Sequence, residues 1–199
     1  MALDHPGQLD VGAYARAAEG QLVGGDRALV LPGAGFYLLA VIDVLGHGPE
    51  AHQLASRIEN FLRGHLSEKP LKLINILHQH LHGSRGAVVS LARFEPASGD
   101  LRFVGIGNAV GRILGPRHQH LLTKEGVLGH TLRSPREEHL CLTEGDLLLI
   151  YSDGVSSHFE TSDYRHIHGD PAEIVAREVV RRFGKPHDDA SCIAMRPLS

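Results

Sequence analysis

Cysteine is scarce in this chain: Cys141 and Cys192 are the only two in 199 residues, and neither belongs to a CxxC pair. That speaks against a disulfide framework or a cysteine-held zinc site, and predicts two buried thiols in a reducing compartment. No apolar run approaches the roughly 20 residues of a membrane span. The opening Met1-Ala2-Leu3-Asp4-His5-Pro6 lacks a basic stretch followed by an apolar one, so no signal peptide is expected. Excess positive charge is missing too. A formal net charge of −3 leaves no electrostatic footprint for nucleic acid or an anionic membrane. Asp43-Val44-Leu45-Gly46 has the form DxxG, but no GxxxxGK[ST] phosphate loop accompanies it, which removes the main binding element of a nucleotide hydrolase. Gly24-Gly25-Asp26 is followed by Arg27-Ala28, not by the acidic-aromatic pair of a cyclic-dinucleotide cyclase. A GxSxG elbow and a candidate cysteine nucleophile are also absent.

Apolar content of 42% and charged content of 22% describe an ordinary soluble globular chain, read here as a single domain over 1–199. Histidine is abundant, with 15 residues, several of them alternating (His78, His80 and His82; His118 and His120; His166 and His168). The first trio falls on a helical pattern, where alternate positions point apart, so no common metal site is expected there. Helices are predicted over 49–66, 71–81 and 171–183, with Pro at or near the first turn of each and apolar residues at helical spacing. Strands are predicted over 9–16, 27–31, 36–44, 87–94, 101–106, 110–114, 120–122, 139–142, 147–151 and 191–195. Gly105 and Gly107 suggest a bulge or a close backbone approach. Residues 155–170 read as polar and irregular.

The stretch Tyr37-Leu38-Leu39-Ala40-Val41-Ile42-Asp43 is the most informative. Its apolar run predicts a strand buried on both faces, yet the run ends in a carboxylate, which is costly to bury without a cation or a dense set of donors. Asp43 is either a cap for the following helix or a metal ligand. The same pattern recurs: Leu147 to Tyr151 runs into Ser152-Asp153-Gly154, and Asp188-Asp189 stands immediately before the closing strand. If 27–31 and 36–43 pair antiparallel, Asp26 lies beside Asp43. Starts and ends of neighbouring antiparallel strands adjoin, so these carboxylates are expected to converge at one sheet edge. Clustered carboxylates cannot all stay ionised without a cation, and an all-oxygen donor set selects Mg²⁺ or Mn²⁺. Two such ions about 3.5–4 Å apart suit in-line attack on phosphorus by metal-activated water.

Together, Gly24-Gly25-Asp26, Asp43-Val44-Leu45-Gly46-His47-Gly48, Ser152-Asp153-Gly154-Val155 and Asp188-Asp189-Ala190-Ser191 resemble the metal-dependent serine/threonine phosphatases of the protein phosphatase 2C (PPM) class. The chain is most similar to the bacterial SpoIIE-like branch, and within it to RsbX-type stressosome phosphatases. The resemblance implies an α+β fold, an αββα sandwich of two antiparallel sheets flanked by helices, with two Mn²⁺ or Mg²⁺ ions in a cleft. It implies Asp43 as the bridging ligand, the Val44 carbonyl as a second ligand, and Asp153 and Asp188 as further ligands. Asp26 would act through metal-bound water, and Asp189 would orient the site from behind. Two departures from the eukaryotic members stand out: Gln21 stands five residues before Asp26, where they carry a phosphate-gripping Arg shortly before the first acidic motif, and His47 lies four residues after Asp43 where they carry a proposed general-acid His two residues on. His47 is therefore read as general acid, loop orienter or helix cap. No large flap is expected over the cleft, which suits a folded protein substrate. The implied function is a cytoplasmic bacterial phosphatase, a monomer, that dephosphorylates STAS-domain stressosome proteins as negative feedback. The alternatives are a phosphatase of an anti-anti-sigma factor and a catalytically silent STAS-binding module.

Overall fold

The apolar run that ends in Asp43 forms strand β3, Tyr37–Val44, and its two faces enter two different cores. Successive side chains of a strand point to opposite sides. Leu38, Ala40, Ile42 and Val44 accordingly join a cluster with helices α1 (Gly48–Gly64) and α2 (Pro70–His80), whereas Leu39 and Val41 enter a cluster shared with a second sheet. Continuous hydrophobicity is what such a strand requires, because neither face meets water. Each fully buried aliphatic side chain contributes roughly 1.5–3 kcal/mol relative to exposure. Asp43 continues the parity of Leu39 and Val41, so it falls on the face between the sheets.

The computed structural model describes residues 9–116, 118–156, 159–160 and 163–198. Strand β1 (Leu9–Arg16) comes first, then β2 (Arg27–Pro32), β3 and the first two helices. After α2 come β4 (Ala87–Glu95), β5 (Asp100–Ile106), β6 (Val110–Leu114) and β7 (Gln119–Leu121). Three two-residue strands follow, β8 (Thr123–Lys124), β9 (Gly126–Val127) and β10 (Thr131–Leu132). The chain closes with β11 (Glu138–Cys141), β12 (Leu147–Tyr151), α3 (Ala172–Phe183) and β13 (Ala190–Pro197). One sheet has the order β1-β13-β12-β6-β7 and the other β11-β5-β4-β3-β2, while β9 and β10 form a small hairpin. Helices α1 and α2 cover the second sheet and α3 covers the first, which gives the αββα sandwich. Between the sheets lie Leu39, Val41, Phe94, Phe103, Leu148, Ile150, Ile193 and Met195.

Three expectations are corrected. One short pairing is parallel: β8 runs alongside β5 at Gly105 and Ile106. Strand β11 pairs only Asp100 to Phe103 of β5, which leaves the end of that edge open, and β8 fills it. Gly105 makes this possible, since a Cβ there would lie 2.5 Å from Thr123 Cγ2. Cys141, at the end of edge strand β11, is exposed, so only Cys192 is a buried thiol. Helix α1 ends two residues early, at Gly64. Within 155–170, the described residues 163–169 form successive turns, while residues 157, 158, 161 and 162 lie outside the described part, as do residues 1–6.

Candidate metal centre

Register brings the acidic residues together. In the β2–β3 pair Arg27 lies opposite Ile42, which places Asp26 beside Asp43 one step further on. In the first sheet Tyr151 lies opposite Cys192, and the Ser152 N–H donates to the Ser191 carbonyl at 3.0 Å, so Asp153 emerges beside the start of β13 and the Asp188-Asp189 pair. The expected convergence at one sheet edge is thus a convergence across two sheets. Asp26 and Asp43 come from one sheet, the other three from its partner, and the inter-sheet core fixes the distance between them.

A cleft of about 230 Å³ opens there, lined by Asp43, Val44, His47, Asn108, Asp153, His187, Asp188 and Asp189 among others. No Lys or Arg is among the described residues lining it. Burial raises the Asp43 pKa to about 8, with the Asp26, Asp153 and Asp188 charges adding to it; the Asp43 and Asp153 carboxyls lie within hydrogen-bond reach of each other. Asp188 is also shifted upward, by burial first and then by Asp153. Among the described residues, no three His, Cys, Asp or Glu side chains are drawn onto one point as a preformed metal cluster. The donor set nevertheless fits a hard divalent cation: all oxygen, several carboxylates, and the Val44 carbonyl at the cleft wall. A Cβ on Gly25 would sit 3.2 Å from that carbonyl oxygen and 2.9 Å from the Ala51 Cβ, so the Gly24-Gly25 turn must pass close behind it without a side chain.

Asp26 lies beside Asp43 as expected but does not line this cleft; it is 5% exposed and accepts a 2.5 Å hydrogen bond from the Ser152 hydroxyl. Burial lifts its pKa to about 7, against the effect of that bond. Its other side borders a smaller groove with Arg27 and His52. Asp189 is largely buried in the cleft wall, where its Oδ1 accepts the Ala18 N–H at 2.8 Å and its Oδ2 the Gly25 N–H at 2.6 Å. A carboxylate holding two backbone donors is a firm tie, and it draws the Gly24-Gly25-Asp26 turn onto the start of β13. Gly154 completes the fit, because a Cβ there would meet the Asp189 carbonyl at 1.8 Å. His47 occupies the N-cap position of α1 by backbone geometry, but its side chain makes no cap bond and lies exposed at the cleft. The helix-cap reading of His47 therefore fails for its imidazole. Gln21 is exposed.

Two residues escaped the sequence reading. Asn108 donates from Nδ2 to Asp153 Oδ2 at 2.6 Å, fixing one carboxylate oxygen. Lys185 donates from Nζ to the Asp153 carbonyl at 2.6 Å. The glycine preceding Asn108 was the available signal. Gly107 has φ +96 and would bring a Cβ to 2.5 Å from Val88, so the chain must turn sharply there and presents the next side chain at the cleft.

The model of the family described as stage II sporulation protein E (SpoIIE) matches residues 33–197. A chain solved in a study of the bacterial stressosome, as a modular system adapted to control secondary messenger signalling, is 31% identical over 95% of this chain and 100% of that one, with a TM-score of 0.86. RsbX in complex with magnesium is similar in fold, at 19% identity, TM-score 0.84, and 100% and 98% coverage of the two chains. So is the PP2C phosphatase domain of SpoIIE from Bacillus subtilis, at 23% identity and TM-score 0.77, covering 96% of this chain and 63% of that one.

Proposed function

The chain belongs to the SpoIIE family of PP2C-type serine/threonine phosphatases, and on that premise we propose that it removes phosphate from a phosphoserine or phosphothreonine of a STAS-domain stressosome protein and so resets the signal. The observation that carries the reading is the meeting of Asp43, Asp153 and Asp188 from two sheets in one cleft. The similarity to a chain from a stressosome study supports the choice of substrate. Among the described residues no helix is long and apolar enough to cross a membrane; a cytoplasmic monomer is part of the proposal.

Asp43, Asp153, Asp188 and the Val44 carbonyl would hold two Mn²⁺ or Mg²⁺ ions, with Asp26 as a further acidic partner. Such ions, when bound, lower the pKa of water and neutralise charge on the transferring phosphoryl group. Everything else falls to the chain. Asn108 holds Asp153 in one orientation through its amide. Asp189 ties the loop of Asp26 to the start of β13. His47, exposed at the cleft, would give a proton to the departing serine or threonine oxygen or orient the metal loop. With Gln21 where relatives grip phosphate by an Arg, the chain binds generic phosphoesters modestly and depends on docking of the folded substrate.

Phosphate release from purified phosphorylated scaffold STAS protein and from a phosphorylated antagonist of the anti-anti-sigma kind, each with manganese, magnesium and chelator, tests this. Metal-dependent release from the scaffold protein is expected. Preference for the antagonist would make the enzyme an activator of the pathway. Release that persists in chelator would overturn the metal assignment, and no release with metal bound would leave a silent binding module.

A further inference from the structure

Asp188 is the most exposed of the carboxylates assigned to the metals, and it sits on the turn between α3 and β13 rather than on a strand. A ligand on a turn has to be held by something else. Arg16, the last residue of β1, lies opposite Ala190 in the β1–β13 pair. Its Nη1 donates to the carbonyls of Ala17 at 3.2 Å and Asp188 at 3.3 Å, and its Nη2 to the carbonyl of Lys185 at 2.8 Å. Donors directed at main-chain carbonyls fix backbone geometry, and the rigid guanidinium fork can span two carbonyls of one turn. The turn is shaped around it: the Asp188 N–H closes onto the Lys185 carbonyl at 3.2 Å, and a Cβ at Gly184 would lie 2.8 Å from Arg16 Nη2 and 2.3 Å from the Val180 carbonyl. Asp189 ties in the opposite direction, accepting the N–H groups of Ala18 and Gly25. Two side chains thus cross-brace the 16–25 and 184–189 segments.

We propose that Arg16 is the positioning residue that sets the Asp188 turn for metal binding. This rests on the reading of Asp188 as a ligand. Arg16 is not among the described residues that line the cleft, so its effect belongs to metal affinity. Partners that orient metal ligands are worth about 10–100-fold in affinity.

The test is manganese titration by calorimetry, alongside phosphate release as a function of manganese, for wild type, Arg16→Met and Arg16→Lys. Arg16→Met should weaken manganese binding about 10–100-fold, with a deficit in phosphate release that shrinks as manganese is raised. Arg16→Lys, with a point ammonium that cannot span both carbonyls, should weaken binding at least about 3-fold while unfolding in chelator close to wild type. If Arg16→Met fails to fold, the lysine variant decides. Wild-type manganese affinity in Arg16→Lys overturns the role of Arg16 alone. Absence of manganese binding in the wild type overturns the metal centre and this role with it.

Discussion

At the scale of single residues, charge placement dominates. Asp43 is a carboxyl held up to about 8 by burial and by three like-charged neighbours. Asp43→Asn keeps its shape and removes its charge. The variant should unfold at a higher temperature than wild type when both are metal-free, because folding no longer has to bury, or protonate, a carboxylate among like charges. It should also lose at least about 100-fold in manganese-dependent phosphate release, since a direct ligand matters no less than its supports. Thermal melts in chelator and the release assay check the two halves. His78 gives a pH prediction away from the cleft. Its Nδ1 accepts the Gly129 N–H at 3.2 Å, which ties α2 to the turn before β10, and burial and then His82 lower its pKa below 6.5. The unfolded chain therefore binds a proton below pH 6.5 while the folded one resists, so stability falls as pH drops from 6.5 toward the folded value. His78→Gln should unfold in urea with a weaker loss between pH 7 and pH 5 than wild type. The His78 and His82 rings meet edge-on at 4.8 Å, one helical turn apart, whereas His80 between them stacks on Phe61 at 4.6 Å.

Secondary-structure elements were largely legible. Continuous apolar runs marked β3 and β12 because both faces are buried, and alternation with turn residues marked the shorter strands. Helix α3 lies outside such patterns at one point. Its N-cap, Pro171, supplies no side-chain bond, and the cap comes from Asp10 on β1, whose carboxylate accepts the Ala172 N–H at 2.9 and 3.1 Å. A partner 162 residues away leaves no local trace in sequence. The same contact explains Gly12: a Cβ there would lie 2.2 Å from the Glu173 Cα, so β1 and α3 touch backbone to backbone. Gly12→Ala should destabilise by about 1–3 kcal/mol, the usual cost of overpacking against a neighbour that cannot yield. Urea unfolding measures it, and a loss under about 0.5 kcal/mol would mean that the helix slides away freely.

For the whole molecule, the inter-sheet core holds the site together, because each sheet carries only part of the acidic set. Phe103 is fully buried in that core. Phe103→Ala should cost about 3–5 kcal/mol in stability, read by urea unfolding, and should weaken manganese binding too as the sheets lose their fixed separation. Unchanged metal affinity in a folded variant would show that the cleft does not depend on this layer. Local pattern alone marks the longer strands, the carboxylates that terminate them and the suitability of a hard cation, because strand burial and the energetics of charge are local properties; the two-residue strands β8, β9 and β10 are too short to leave such a pattern. The sequence could not determine that Asp43 meets Asp153 and Asp188 across two sheets rather than along one edge. Nor could it place Asp26 behind the cleft under Ser152, or find Asn108, Arg16 and Asp10 in supporting roles. Those depend on register and on sheet-to-sheet packing, which bring together residues as distant as Arg16 and Asp188, 172 positions apart, and no local pattern carries them.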